Sequence, residues 1–239
     1  MKKIGIIGAM EIEINILREK MKQAGSVNET IAGNLTFYEG SLFGLHIILV
    51  RSGIGKVNAA VCAQRLILQF GAEAVINTGI AGAMGAGLTI FDMVASTDAV
   101  YHDMDAVAFG YKPTVIPQME VSAFPADQKL INAAKLAYAH SSIFEKHKFV
   151  TGRVATGDQF ITDSKVKAHI KEICSPVCVE MEGCAIAHAC YLNKTPYLIL
   201  RCISDCADDD AKVNYSFNDT DAANESSDLL LGILEILSK

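Results

Sequence analysis

Apolar residues along the first part of the chain follow two different periods. Residues 4–8 form a short apolar run closed by glycine, which predicts a buried strand. From Ile12 to Met21 apolar residues recur at the spacing of one helix face, so a helix is predicted next. Residues 35–40 and 45–52 alternate and are rich in β-formers, and the segment between them is typical of a hairpin turn.

The rest of the chain repeats this alternation of strands and helices. Helices are predicted at 55–70, 129–139, 162–173, 183–192 and about 220–237, and strands at 74–77, 93–100, 148–156, 177–181 and 197–203. A glycine turn is expected at 78–82, and the longest irregular segment, 101–125, is typical of a lid or a partner contact. This pattern predicts an α/β fold, a three-layer αβα single domain over residues 1–239. The early hairpin makes the central sheet mixed.

Composition narrows the class of protein. The chain has 239 residues, 51% of them apolar, a net charge of −6 and no Lys/Arg cluster, which disfavours nucleic-acid binding. No apolar stretch approaches membrane-spanning length, and the first apolar run is too short for a secretory signal. The seven cysteines show no CxxC pair or metal-ligand spacing. We therefore expect a cytoplasmic protein with reduced thiols and without a metal site.

Four predicted strand ends carry acids or glycines. They are the segments 8–13, 77–82, 179–183 and 203–205. Each alone has an ordinary structural explanation, since glycine turns are common and a carboxylate at a helix start contacts the helix dipole favourably. Ligands of α/β sheets bind beyond the carboxyl ends of strands, so the joint occurrence of these segments favours a shared site.

Eight segments in order along nearly the whole chain carry a family resemblance. They are IGIIGAME at 4–11 with Glu13, SGIGKV at 52–57, NTG at 77–79, YHD at 101–103, AFGY at 108–111, TGDQFI at 156–161, VEME at 179–182 and ISD at 203–205. Together they resemble the methylthioadenosine/S-adenosylhomocysteine nucleosidases of the purine nucleoside phosphorylase-like superfamily. The resemblance implies hydrolysis that releases adenine and a 5-thioribose product, as in methionine salvage.

Two acids are expected to carry this chemistry. Departure of adenine requires an acid near its N7, and attack by water requires a base. By resemblance the acid is Asp205 and the base is Glu13. Asp205 must hold a proton near neutral pH, so its pKa must be raised by an apolar site or nearby carboxylates, while Glu13 stays ionised. Without the other segments, Asp205 is better explained as a turn cap and Glu13 as a first-turn glutamate.

The resemblance also assigns the substrate-binding residues. They are Glu182 and Met181 at the ribose, Arg201 near the water, Phe160 and Ile161 at the adenine, Met10, Ile54 and Phe217 at the 5′-alkylthio group, and Ile80, Gly82 and Ser204 at the strand ends. A structural ion pair explains Arg201 equally well. The family commonly has a small hydroxyl residue where this chain has Ile80, which removes a hydrogen bond or narrows the pocket.

The resemblance further implies a homodimer. Ala106 and Phe109 lie where the family extends a loop across the dimer interface into the neighbouring site, so Phe109 is a candidate contact to the partner's substrate. Its alternative is a local anchor for the loop. The partners expected are thus a nucleoside substrate, water and a second copy, with no metal, no organic cofactor, no nucleic acid and no membrane.

Three alternatives compete with hydrolysis of these nucleosides. A nucleoside phosphorylase needs cationic donors for phosphate, whereas Glu13 would repel a phosphate dianion. A binding domain without catalysis is disfavoured because both acids are present. Aminodeoxyfutalosine stays open as a further substrate.

Overall fold

The computed structural model describes residues 1–141, 147–207 and 211–239, without the side chains of 212–214, 216 and 217. The strands are Lys3–Gly8 (β1), Asn28–Ala32 (β2), Leu35–Leu42 (β3), Leu45–Arg51 (β4), Ala74–Ala83 (β5), Met93–Tyr101 (β6), Phe124–Pro125 (β7), Phe149–Thr156 (β8), Cys178–Glu180 (β9) and Tyr197–Asp205 (β10). The helices are Glu11–Ala24 (α1), Lys56–Leu68 (α2), Gln128–Ala139 (α3), Ser164–Cys174 (α4), Gly183–Leu192 (α5) and Ala211–Leu237 (α6).

All the strands belong to one mixed sheet, which closes on itself at one end. β1 lies parallel to β4 and β5, and the antiparallel strands β3 and β2 extend the β4 edge. At the other end β5, β10, β6, β8 and β9 pair in a ring, because β5 pairs with both β10 and β9. In this ring Gly82 of β5 lies opposite Asp205 on one side and Val179 on the other. The closure thereby brings the ends of three strands to one place.

Helices cover both faces of the sheet. In β4, Ile47 and Leu49 pack in the core that contains α1, α3 and α6, whereas Ile48 and Val50 pack in the core that contains α2 and α5. This division follows from the alternation of side chains along a strand. The predicted three-layer α/β fold with a mixed central sheet is confirmed. Within the described residues, none of the helices is both long and apolar enough to cross a membrane.

The structure differs from the sequence prediction at several elements, among them the two-residue strand β7, which lies in the segment expected to be irregular. The glycine turn expected at 78–82 is wrong, because β5 continues to Ala83 and pairs with β10 throughout that segment. The short strand β2 was not predicted, because most of its side chains are exposed and it pairs only with β3. Helix α6 begins at Ala211 rather than near residue 220. Its first turns were not predicted because they lack a strong apolar stripe.

Packing around Phe37 gives a test of the core between β3 and α2. The ring of Phe37 is fully buried and stacks on Phe70 with centroids 4.2 Å apart. We expect Phe37→Ala to lower the free energy of unfolding by about 3–5 kcal/mol, because the lost ring leaves a cavity. The control Ile31→Ala, on exposed strand β2, should cost less than about 0.5 kcal/mol. Equal urea midpoints for the two variants would contradict this packing.

Candidate active site

A cavity of about 510 Å³ opens where the strand ends meet. Its lining comes from the segments after β1 and β4, the end of β5, the loop after β8, the end of β9, the end of β10 and helix α6. The lining residues are Ala9, Met10, Glu13, Ile54, Ile80, Ala81, Gly82, Gln159, Phe160, Ile161, Val179, Glu180, Met181, Glu182, Ser204, Asp205, Ala207 and Tyr215. This location agrees with the rule that ligands of α/β sheets bind beyond the carboxyl ends of strands.

Most of the residues selected from the sequence meet in this cavity. They are Met10, Glu13, Ile54, Ile80, Gly82, Phe160, Ile161, Met181, Glu182, Ser204 and Asp205. Arg201 is not part of the lining, because its side chain is buried behind the cavity. Phe109 lies outside the cavity of its own chain and is 84% exposed. The side chain of Phe217 lies outside the described residues.

Tyr215 is a lining residue that the sequence analysis missed. Its ring meets Phe160 edge-on at 5.4 Å, and its hydroxyl donates to Met10 Sδ at 3.3 Å. The residue was overlooked because α6 was expected to start near residue 220. An earlier helix start would have placed an aromatic residue near the strand end that carries Asp205.

Glu13 lies in the first turn of α1, where the backbone orients its carboxylate. Oε2 accepts hydrogen bonds from the Ala9 and Met10 amides at 2.6 and 2.9 Å, and Oε1 accepts one from Ile80 N at 3.2 Å. A Cβ at position 79 would lie 2.3 Å from Oε1, so Gly79 is required for this approach. Burial raises the pKa of Glu13, while the charge of Arg201 and the three amide donors oppose the rise.

Asp205 lies at the end of β10 and is almost completely buried. Oδ1 accepts a hydrogen bond from Ala207 N at 2.8 Å, and Oδ2 accepts one from Ser204 Oγ at 2.9 Å. A bulge in β10 places Asp205 opposite Gly82, where a Cβ would lie 2.9 Å from Oδ1. Glu13 is bonded to β5 two residues earlier, a spacing of about 7 Å along a strand. Both carboxyl groups therefore flank one strand end and enter the same cavity.

A buried cation lies behind these acids. Arg201 donates to Glu180 Oε2 and to Asn77 Oδ1, both at 2.5 Å, and is only 2% exposed. Glu180 also accepts hydrogen bonds from the amides of Glu182 and Gly183 at 3.0 and 2.7 Å. Of the two explanations for Arg201, its contacts fit the structural ion pair. The positive charge of Arg201 also acts on the acids of the cavity, although its side chain does not line the cavity.

Glu182 faces the cavity from the start of α5. Its Oε1 accepts a hydrogen bond from Gly55 N at 2.8 Å. Burial, and then the negative charge of Glu180, raises the pKa of Glu182 to about 8, while the charge of Arg201 opposes the rise. The side chain is therefore a hydrogen-bonding group at the cavity wall whose charge changes near neutral pH.

The described lining carries carboxylates but neither lysine nor arginine. The acids are Glu13, Glu180, Glu182 and Asp205. Among the residues that the structure describes, no group of three or more His, Cys, Asp or Glu is arranged to hold a metal ion. Apolar and aromatic walls with a few acidic groups suit an uncharged, flat ligand better than an anion.

Comparisons with known proteins agree over the full chain. The family model described as Phosphorylase superfamily matches residues 3–236. A 5′-methylthioadenosine/S-adenosylhomocysteine nucleosidase of Geobacillus sp. (strain WCH70) is 40% identical over 99% of this chain and 100% of its own. The Neisseria meningitidis nucleosidase of the same name, solved with methylthio-immucillin-A, is 40% identical with a TM-score of 0.92, covering 98% and 99% of the two chains. The Colwellia psychrerythraea 34H nucleosidase, solved with adenine, is 39% identical with a TM-score of 0.93, covering 99% and 96%.

The raised pKa of Glu182 predicts how stability depends on pH. Between the ordinary glutamate pKa of 4.5 and the pKa of about 8 in the folded protein, the folded protein holds a proton that the unfolded chain has lost. The free energy of unfolding therefore falls as pH rises through this window. Glu182→Gln cannot titrate there, so relative to wild type it should gain on the order of a few kcal/mol between about pH 5 and about pH 9.

Urea unfolding at both pH values measures this difference. Glu29→Gln on exposed β2 is the control and should follow wild type. A difference between Glu182→Gln and wild type that does not change with pH would contradict the assignment.

Proposed function

Since this chain belongs to the 5′-methylthioadenosine/S-adenosylhomocysteine nucleosidases of the phosphorylase superfamily, which are N-glycosyl hydrolases, we propose that its cavity is the active site. We further propose that Asp205 is the catalytic acid and Glu13 the catalytic base. The observation that carries this proposal is that both acids are buried at the wall of one cavity with no lysine or arginine in its described lining. Water and a purine thionucleoside are the two substrates.

Asp205 acts as the acid. Its protonated carboxyl donates to N7 of adenine as the bond between C1′ and N9 breaks, and the electron pair of that bond leaves with the purine. Ser204 and the Ala207 amide, which bind the carboxyl oxygens, fix its direction. General acid catalysis of this kind supports the departure of a base that is a poor leaving group as an anion.

Glu13 acts as the base toward water. It takes a proton from the water whose oxygen forms the new bond to C1′. A general base works best when its pKa lies near the working pH, and burial moves the pKa of Glu13 in that direction. The charge of Arg201 and the amides of Ala9, Met10 and Ile80 limit the rise and favour the ionised form.

The remaining lining residues hold the substrate. Glu182 forms hydrogen bonds with the ribose hydroxyls, and its ionised form also favours positive charge that develops on the ring. Phe160 stacks on adenine. Tyr215 joins Met10 and Ile54 as the wall for the 5′-alkylthio group, a position supported by its contact with Met10.

Hydrolysis is favoured over phosphorolysis by the charge of the site. A phosphate dianion would face Glu13, Glu180 and Glu182 without a lining cation among the described residues. Product analysis with methylthioadenosine, in buffers with and without phosphate, tests this. We expect adenine and 5-methylthioribose at equal rates in both buffers. Formation of a sugar 1-phosphate would contradict hydrolysis.

We also propose a cytoplasmic homodimer of single-domain subunits. Exposed apolar side chains on α2 and α5, among them Val57, Leu68 and Leu192, form a surface suited to a second copy. Phe109 lies on the 104–123 loop and contacts no part of its own cavity, which supports insertion into the partner's site. The free thiols of all seven cysteines are typical of a reducing compartment.

Replacing either acid by its amide should remove most turnover. Glu13→Gln and Asp205→Asn are each expected to lower kcat about 10²- to 10⁴-fold, because each loses a proton transfer. Glu11→Gln is the matched control, since Glu11 lies in the same helical turn but pairs with Arg18 at the surface. Steady-state kinetics with thermal melts to verify folding give the answer. Near-normal kcat in either amide variant would refute its role.

Loss of the Phe109 ring should weaken substrate binding without dissociating the dimer. We expect Phe109→Ala to raise KM for methylthioadenosine about three- to tenfold, which corresponds to a contact of about 1 kcal/mol. Phe43→Ala, which removes another exposed ring at the β3–β4 turn, should leave KM unchanged. Sedimentation checks the oligomeric state, and an unchanged KM in Phe109→Ala argues against the shared site.

A further inference from the structure

An ionic cluster lies outside the cavity, where three chain segments meet. Lys56 Nζ lies 2.5 Å from Asp103 Oδ2 and 3.7 Å from Asp158 Oδ2. The same Asp103 oxygen accepts a hydrogen bond from Asp158 N at 3.1 Å, and Asp158 Oδ1 accepts one from Lys56 N at 2.8 Å. The three residues are therefore joined in every pairwise combination, and we call them the Lys56 cluster.

The position of Lys56 in the sequence is unfavourable by itself. It is the first residue of α2, and a positive side chain at a helix N-terminus opposes the helix dipole. The two aspartates offset this charge, and the Tyr101 ring lies 5.5 Å from Nζ. Local helix stability therefore does not explain the lysine, but the bridge between α2 and the other two segments does.

Two of the three segments of the cluster continue directly into the cavity. The residues preceding Lys56 are Ile54, which lines the cavity, and Gly55, whose amide holds Glu182. Asp158 is followed by residues 159–161, which line the cavity and include Phe160, the proposed adenine contact; we call them the adenine loop. None of the three cluster residues lines the cavity itself, so any effect on the substrate passes through these neighbours.

The third segment leads to the loop proposed to reach the partner. Asp103 lies one residue before the loop that carries Phe109. It follows His102, whose buried imidazole packs on Gly157, where a Cβ would lie 2.3 Å from Nε2. This contact and the cluster fix the start of the 104–123 loop against the adenine loop.

We propose that Lys56 is a positioning residue that sets the adenine loop, and through Gly55 also Glu182, in the geometry that binds the nucleoside. The inference rests on the proposed function, since it concerns the same cavity. Loss of the lysine charge removes the ion pairs to Asp103 and Asp158, which leaves the loop after Asp158 held to the cluster only by hydrogen bonds of backbone amides and therefore less firmly placed. Substrate and adenine then bind less tightly, while the reacting acids Glu13 and Asp205 keep their own contacts.

Lys56→Met and Lys56→Arg test this inference. Lys56→Met keeps the length of the side chain without its charge, and we expect KM for methylthioadenosine and Kd for adenine to rise about tenfold, with kcat changed less than about threefold. Lys56→Arg should recover most of the affinity. Because the cluster is partly exposed, the difference between wild type and Lys56→Met should shrink in high salt.

Arg153→Met is the matched control. Arg153 of β8 forms two hydrogen bonds of 2.8 Å with Asp98 of β6. This ion pair thus joins the two strands that lead to Asp158 and Asp103, but neither of its residues lines the cavity. We expect Arg153→Met to lower thermal stability without changing KM or adenine affinity. The proposal is overturned if Lys56→Met binds adenine as wild type does, or if Arg153→Met loses the same affinity. A wild-type protein that neither cleaves methylthioadenosine nor binds adenine would instead overturn the proposed function.

Discussion

The site depends on one buried guanidinium that faces several buried carboxyl groups. Arg201 pairs with Glu180, is held by Asn77 and lowers the pKa values of Glu13 and Glu182 that burial would otherwise raise further. Several carboxyl groups buried close together cannot all stay ionised without such a charge. Since Arg201 lies behind the lining, it acts on the acids, while the part of the lining that the structure describes has no cation that would hold phosphate.

The closure of the sheet makes this arrangement possible. β5 pairs with β10, β9 and β1, so strand ends from distant parts of the chain lie beside one short stretch of β5. Gly79 and Gly82 are required in that stretch because a Cβ at either position would contact Glu13 or Asp205. The Lys56 cluster performs a similar task one layer farther out, by joining the loops rather than the strands.

Sequence reasoning recovered the helices and strands with apolar periodicity, and it selected Glu13 and Asp205 because of the family resemblance. It did not recover β5 beyond Asn77, because pairing on both edges overrides the turn tendency of a glycine-rich run. Tyr215 was missed for a similar reason, since its helix is anchored by tertiary packing rather than by a strong stripe. The sequence left Arg201 open between two roles, and only the distances to Glu180 and Asn77 show how its charge is placed.

The division of labour between the two acids is tested most directly by changing the leaving group. From a 4-nitrophenyl 5-methylthioriboside, 4-nitrophenolate departs without protonation. The loss of kcat caused by Asp205→Asn should therefore be at least about tenfold smaller with this substrate than with methylthioadenosine. The loss caused by Glu13→Gln should stay the same with both substrates, because water must still be activated. If Asp205→Asn loses as much activity with the 4-nitrophenyl substrate as with methylthioadenosine, then Asp205 is not the acid that releases the purine.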